Sequence, residues 1–229
     1  MPVIVLASSK GGAGKTTGVV ALASELAQKT TVSLIDADPN QHSAKWAKKA
    51  GCPANITLVE NSTEETIIDD IDEAQEKTPF VLVDLEGTAS MAVASAISRA
   101  DLVLVPCQGS QDDADEAAKT IKLINRQSRV LNRPIRFAVF MTRTSPAITP
   151  RGLTFILEEF KSAGVRVLES SLIEREAFRA VRTFGGILGD LNPKQVSGID
   201  KAEANSRAFL KEVIGMLESQ QEERKVQNA

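Results

Sequence analysis

Little in this chain could hold a soft metal or a covalent cross-link. Its two cysteines, Cys52 and Cys107, lie far apart and outside any C-x-x-C pattern. Neither a structural disulfide nor a zinc site is therefore expected, and a reducing compartment fits. The single histidine, His42, excludes a histidine metal cluster. No apolar run approaches the roughly 20 residues that cross a bilayer. No basic stretch followed by an apolar one opens the chain, as a secretion signal would. Positive charge is not in excess either. A formal net charge of −3 argues against a constitutively basic nucleic-acid coat, although it leaves room for a local basic patch. Repeats, low-complexity tracts and linkers are also absent. The expectation is one cytoplasmic domain over residues 1–221, followed by a polar tail at 222–229, in a chain long enough to bury a substantial core.

What is there begins with alternation. Short apolar runs at Val3–Ala7, Thr31–Ile35, Ile56–Val59, Phe80–Val83, Leu102–Val105, Phe137–Met141 and Val165–Leu168 are separated by helix-length segments. That pattern predicts an α/β fold: three layers, a doubly wound and mostly parallel sheet with helices on both faces. Ser62-x-x-Glu65 reads as a capping box opening a helix toward Lys77. Thr149 and Pro150 read as an N-cap and first helical position, with Gly164 closing that helix. The final helix is expected from about Ala202 to Gln221, with Ala208, Phe209, Val213, Met216 and Leu217 as its apolar stripe.

The most informative segment follows the first strand: Lys10-Gly11-Gly12-Ala13-Gly14-Lys15-Thr16-Thr17. Strand, glycine-rich loop and helix in that order make a phosphate cradle, with backbone N–H groups and a helix N-terminus facing the anion. Residues 11–17 would bind the nucleotide; Lys15 would reach the β- and γ-phosphates and Thr16 would hold Mg²⁺. The usual G-x-x-x-x-G-K-[ST] pattern fails at its first glycine, where Ser9 stands. A second cue is Leu34-Ile35-Asp36-Ala37-Asp38-Pro39, two acids at the end of a strand where parallel sheets bind ligands. A third is Phe80-Val81-Leu82-Val83-Asp84, a Walker B pattern in which Asp84 would bind Mg²⁺ through a water. Arg175, Arg179 and Arg182 are spaced to share one helical face, which suits phosphate backbones. Glu174 and Glu176 could equally pair with them across a solvated surface. Asp113, Asp115 and Glu116 open another helix, and simple capping accounts for them. His42 and Trp46 read as packing residues.

The loop form K-G-G-x-G-K-[ST]-[ST] resembles the deviant phosphate loop of the ParA/MinD superfamily of dimerising ATPases. The D-x-D-P segment and the Glu174-Arg175-x-Ala177-Phe178 segment extend that resemblance over nearly the whole chain. It is most similar to small plasmid ParA-type partition ATPases, and also to the VirC-type ATPases of conjugative T-DNA transfer. The resemblance implies ATP and Mg²⁺ as cofactors and a homodimer in the ATP-bound state. In that dimer Lys10 crosses to the partner's nucleotide, Asp38 orients the attacking water, and Asp36 takes a Mg²⁺-shell or structural role. It further implies slow hydrolysis, non-specific DNA binding in association with the nucleoid, and a ParB-like adaptor or relaxosome protein as partner. A MinD-like membrane anchor does not fit, because Ser219–Arg224 is too polar. An electron carrier of the nitrogenase-reductase kind would need cysteines after Asp84, where none stands. The remaining alternative is a degenerate, non-hydrolysing nucleotide-binding adaptor, since Asn40-Gln41 and Leu85-Glu86 depart from the family pattern. A carboxylate at Glu86 would oppose phosphate binding unless it points outward.

Overall fold

The computed structural model describes residues 1–87, 90–145 and 150–227, with side chains to residue 219. In chain order its elements are β1 (Val3–Leu6), α1 (Lys15–Ala27), β2 (Val32–Ala37), α2 (His42–Ala47), β3 (Ile56–Glu60), α3 (Ile67–Lys77), β4 (Phe80–Leu85) and α4 (Met91–Arg99). There follow β5 (Leu102–Cys107), α5 (Gln111–Val130), β6 (Arg136–Thr144), α6 (Arg151–Ser162), β7 (Leu172–Ile173), α7 (Glu176–Phe184) and α8 (Ile199–Gln227). Seven strands form one sheet in the order β3-β2-β4-β1-β5-β6-β7, and every pairing is parallel. This is the expected doubly wound α/β architecture.

Side chains alternate across each strand, so the sheet feeds two apolar layers. Ile4 and Leu6 join one layer, which α1, α2, α7 and α8 complete; Phe140 and Phe209 meet there with ring centroids 5.0 Å apart. Val3 and Val5 join the other, which α3, α4, α5 and α6 cover. The order places β1 between β4 and β5, so the loop after β1 opens where the strand order reverses. Ligands of such sheets bind in that crevice.

Several local expectations need correction. Val165–Leu168 is not a full strand: it makes one bridge, Val139 to Val167. Immediately afterwards the N–H groups of Glu169 and Ser170 donate to the Glu212 carboxylate instead of to β6. The seventh strand forms four residues past Leu168, at Leu172–Ile173. The Ser62 capping box does not form either. Ser62 donates to Asp70, and the helix begins later, at Ile67 behind Thr66. Pro150 is the N-cap of α6 rather than its first helical residue, and Thr149 lies outside the described residues. In α8, Phe209, Val213, Met216 and Leu217 are buried as expected, but Ala208 faces out and Ser206 takes the buried position. That helix starts at Ile199 and runs on to Gln227.

Candidate functional site

The loop between β1 and α1 is held by side chains as well as by glycine. Gly14 caps α1 with φ +112°, and a Cβ there would meet Thr142 Cγ2 at 2.9 Å. Thr142 in turn donates to the Ala13 carbonyl at 2.7 Å, so the end of β6 is registered against the loop. Ser9, which breaks the usual glycine pattern, ties the loop to α5: its N–H donates to Thr120 and its hydroxyl to Glu116. Gly87 packs on the loop from the other side, where a Cβ would lie 2.6 Å from the Gly11 nitrogen. Glycine at position 87 is thus a steric requirement, because the backbone of residues 10 and 11 leaves no room for a side chain.

The loop opens into a cavity of about 470 Å³ lined by Gly11, Gly12, Gly14, Lys15, Thr16 and Thr17, by Asp38, Pro39, Asn40 and His42, and by Glu86, Gly87, Arg143 and Arg182. Lys15 is 6% exposed, and among the described residues its ammonium reaches only the Lys10 carbonyl, at 3.4 Å. Burial pulls its pKa down, opposed by the carboxylates of Asp84, Asp38 and Glu86. Asp84, one residue from the end of β4, pairs directly beside Asp36 of β2, and both are fully buried. Asp36 is satisfied by the Ser43 hydroxyl and Ala44 N–H, each at 2.8 Å, and by the Asp38 N–H at 3.0 Å. Neither oxygen of Asp84 has a hydrogen-bond partner among the described residues. Burial, and then the Asp36 charge, push its pKa up to about 7; the nearby Thr16 and Ser43 hydroxyls only partly offset this and make no hydrogen bond to it.

A buried cation and a buried, unsatisfied carboxylate at the mouth of a glycine-rich loop fit a phosphate chain with a hydrated divalent cation. Thr16 and Asp84 could hold Mg²⁺, while the hydrogen bonds of Asp36 to Ser43 and Ala44 make it a structural brace for α2. Asp38 is half-buried, and one of its oxygens is held by the Asn40 backbone N–H and side-chain amide at 2.8 and 2.9 Å. Asn40 thus supplies the bonding of this loop, and Gln41, at φ +53°, adds donations to the carbonyls of Asp36 and Asp38. Glu86 does line the cavity.

Two sequence readings change here. Trp46 is a packing residue, 1% exposed with its indole N–H on the Gly186 carbonyl, but His42 is exposed and lines the cavity. Asp113 does more than favour the α5 dipole. It accepts a hydrogen bond from Lys10 Nζ at 2.7 Å, and the Ser110 hydroxyl also donates to it. Burial pushes the Asp113 carboxyl up, but Lys10 and Ser110 outweigh it and hold it below the usual carboxylate range. Lys10 is therefore clasped within its own chain, and its pKa is raised chiefly by that hydrogen bond.

The three arginines converge, though on a cleft rather than an outer helical face. Arg175 precedes α7 in extended conformation, so helical spacing does not apply to it. With Arg143, Arg179 and Arg182 it surrounds a second cleft of about 220 Å³, floored by Leu172, Ile173 and Phe178. Arg179 pairs with Glu174 at 3.1 Å and Glu176 at 3.6 Å, so the pairing alternative holds for that residue. The Nε atoms of Arg175 and Arg182 are buried without a partner among the described residues. Sequence reasoning missed Arg143, the bond of Asp113 to Lys10, and that of Gln108, whose side chain donates to the Gly12 carbonyl. Their positions just past β5 and at the end of β6, on the same edge as Asp36 and Asp84, were the available signal.

A family model described as VirC1 protein matches residues 1–218. The chain is 41% identical to Protein ParA of Rhizobium radiobacter over 95% of its own length and all of that protein's. It is similar in fold to an ATP complex of a McdA variant from Cyanothece, with a TM-score of 0.78 at 16% identity, covering 93% of this chain and 96% of that one. A plasmid partition protein from Borrelia burgdorferi bound to AMPPNP superimposes with a TM-score of 0.67 at 20% identity, covering 92% and 98%.

Proposed function

The chain belongs to the VirC1 protein family, among the ParA-like partition and positioning ATPases, and from that premise we propose that it hydrolyses ATP slowly and positions DNA as an ATP-bound dimer. The observation that carries this reading is the juxtaposition of buried Lys15 with the unsatisfied, buried Asp84 beside the glycine loop. Lys15 supplies the ammonium for the terminal phosphates. Thr16 offers its hydroxyl, and Asp84 a carboxylate to a bound water, as the Mg²⁺ site. When bound, Mg²⁺ neutralises charge on the phosphate oxygens. Asp38 has one oxygen held by Asn40 and the other free to orient the attacking water.

Lys10 leaves Asp113 and reaches the partner's nucleotide, so ATP favours association by placing opposite charges across the interface. DNA contact falls to the arginine cluster after β7, in which Arg179 is the exposed member. Contacts of this kind read phosphate rather than sequence. Dimerisation doubles the patch on one rigid body and so raises affinity steeply. Stimulation comes from a ParB-like adaptor or a relaxosome protein.

The test is nucleotide binding by calorimetry together with phosphate release, with and without DNA. Wild-type protein should bind Mg²⁺–ATP and turn it over, and Lys15→Ala should weaken binding by about tenfold or more, as loss of a charge-assisted contact does. Unchanged affinity in that variant would overturn the phosphate-loop assignment. Binding without any turnover in the wild type would instead establish the non-hydrolysing adaptor.

A further inference from the structure

Arg143 occupies a backbone conformation that an arginine has no intrinsic reason to adopt. Its φ is +53°, in the left-handed region. Outside glycine, the other described residues with positive φ are Gln41, Asn61 and Asn132. Asparagine tolerates that region because its short side chain bonds locally, whereas a long side chain with a Cβ gains nothing there. The sheet explains how the conformation is imposed. Thr142 pairs with Leu172 and Thr144 with Ile173, with a register break between them, and the Glu174 N–H closes on the Thr144 carbonyl at 3.0 Å. Arg143 is the extra residue of this bulge. Bulges re-aim a side chain, and strain of this kind persists where function maintains it.

The bulge aims Arg143 at the wall between the two clefts. Both the loop cavity and the smaller arginine-lined cleft include Gly14, Thr17, Arg143 and Arg182 among their lining residues. Arg182 reaches this wall from the last turn of α7, with its Nε buried and unpartnered. The bulge is also registered to the phosphate loop, because the preceding Thr142 bonds Ala13 and abuts Gly14. Two guanidinium groups are thus held at a fixed place relative to Lys15, between a cavity suited to phosphates and a cleft with an apolar floor.

We infer that Arg143 and Arg182 form a clamp on the bound nucleotide, gripping the phosphate nearest its sugar where the ligand passes from one cleft to the other. This rests on the nucleotide-binding reading above. A guanidinium fork matches phosphate oxygens in a way an ammonium does not. The strained backbone is then the cost of delivering that fork. Arg182 is accordingly a nucleotide residue first, and the exposed Arg179 carries the outer surface.

The clamp is tested by substitutions that separate side chain from backbone. Arg143→Gly removes the guanidinium and relieves the left-handed strain, while Arg143→Ala removes it and keeps the strain. Both should weaken ATP and ADP binding by the same factor, about tenfold, because the gripped phosphate is common to both ligands. Arg143→Lys should recover only part of the loss. The glycine variant without nucleotide should melt roughly 2–4 °C above wild type. Arg182→Ala should reproduce the affinity loss. Wild-type affinity in both the Arg143→Gly and Arg143→Ala proteins overturns the clamp, and so does a glycine variant that melts lower. A wild-type chain that fails to bind ATP at all would instead overturn the underlying nucleotide reading.

Discussion

Replacing Asp84 with asparagine should make the unliganded protein more stable at neutral pH while abolishing Mg²⁺-dependent turnover. The carboxyl is fully buried, lacks a hydrogen-bond partner and stands beside the equally buried Asp36, which together carry its pKa from 3.8 to about 7. The folded chain therefore holds a proton that the unfolded chain releases between those two values. Stability is undiminished below pH 4, falls as pH climbs toward 7, and levels off above it. A displacement of that size corresponds to at most about 4 kcal/mol over the window. Asparagine keeps the shape but does not ionise, so the decline specific to this residue disappears. At pH 8 the variant should be more stable by about 1–4 kcal/mol, the lower end allowing for its own unsatisfied amide. Urea melts of both proteins at half-unit steps from pH 5 to 8 measure the difference directly, and titrating groups remote from Asp84 cancel between them. Parallel pH profiles, or a variant less stable at pH 8, would refute the reasoning. In the wild type, Mg²⁺–ATP binding should release a proton near pH 7, and affinity should rise up to about tenfold between pH 6 and 8 as the ionised fraction grows.

Asp113→Asn should free Lys10 and lower the protein concentration at which ATP drives dimerisation, read by sedimentation velocity; an unchanged or weaker dimer would mean that the clasp does not compete with association. Lys10→Ala should bind ATP as a monomer and fail to dimerise, and normal turnover in that variant would remove the lysine from the interface. Asp38→Ala should retain the ATP-bound dimer on size exclusion yet release no phosphate, because the lost group orients water rather than holding nucleotide. Arg179→Glu should weaken ATP-dependent DNA binding and flatten its salt dependence while leaving nucleotide affinity intact, and unaltered mobility shifts would place the DNA surface elsewhere.

The sheet was legible because buried parallel strands are apolar runs, and six of the seven runs are strands in the structure. The seventh failed for a reason the sequence does not print: Glu212, far along the chain, captures the N–H groups that would have extended the pairing. The Ser62 box failed through competition, since its hydroxyl found Asp70 one turn deeper in the helix. Loop residues 10–17, Asp38 and Asp84 were legible because local order places them at one edge of the sheet. Arg143 and the partner of Lys10 were not. Each depends on register between distant segments, namely the bulge of β6 on β7 and the approach of α5 to the loop. The arginine spacing misled in part because Arg175 falls just before the helix whose period was applied to it.

The departures after Asp84 acquire a physical account from the same packing. Gly87 must be side-chain-free where it touches the loop, which fixes the turn and leaves Glu86 on the cavity wall. A carboxylate there repels phosphate, so in isolation it argues against nucleotide binding. Yet burial pulls the pKa of Lys15 down, which works against the ammonium that meets the phosphates. Asp84, Asp38 and Glu86 are the three carboxylates that oppose this and favour the ammonium. Of these, Asp84 has its own pKa pushed up to about 7 by burial and by Asp36, so its support of the ammonium weakens as pH falls. Glu86 is more exposed than Asp84 and acts on Lys15 in the same direction. The acid that weakens phosphate approach therefore also favours the charged form of the lysine that attracts it.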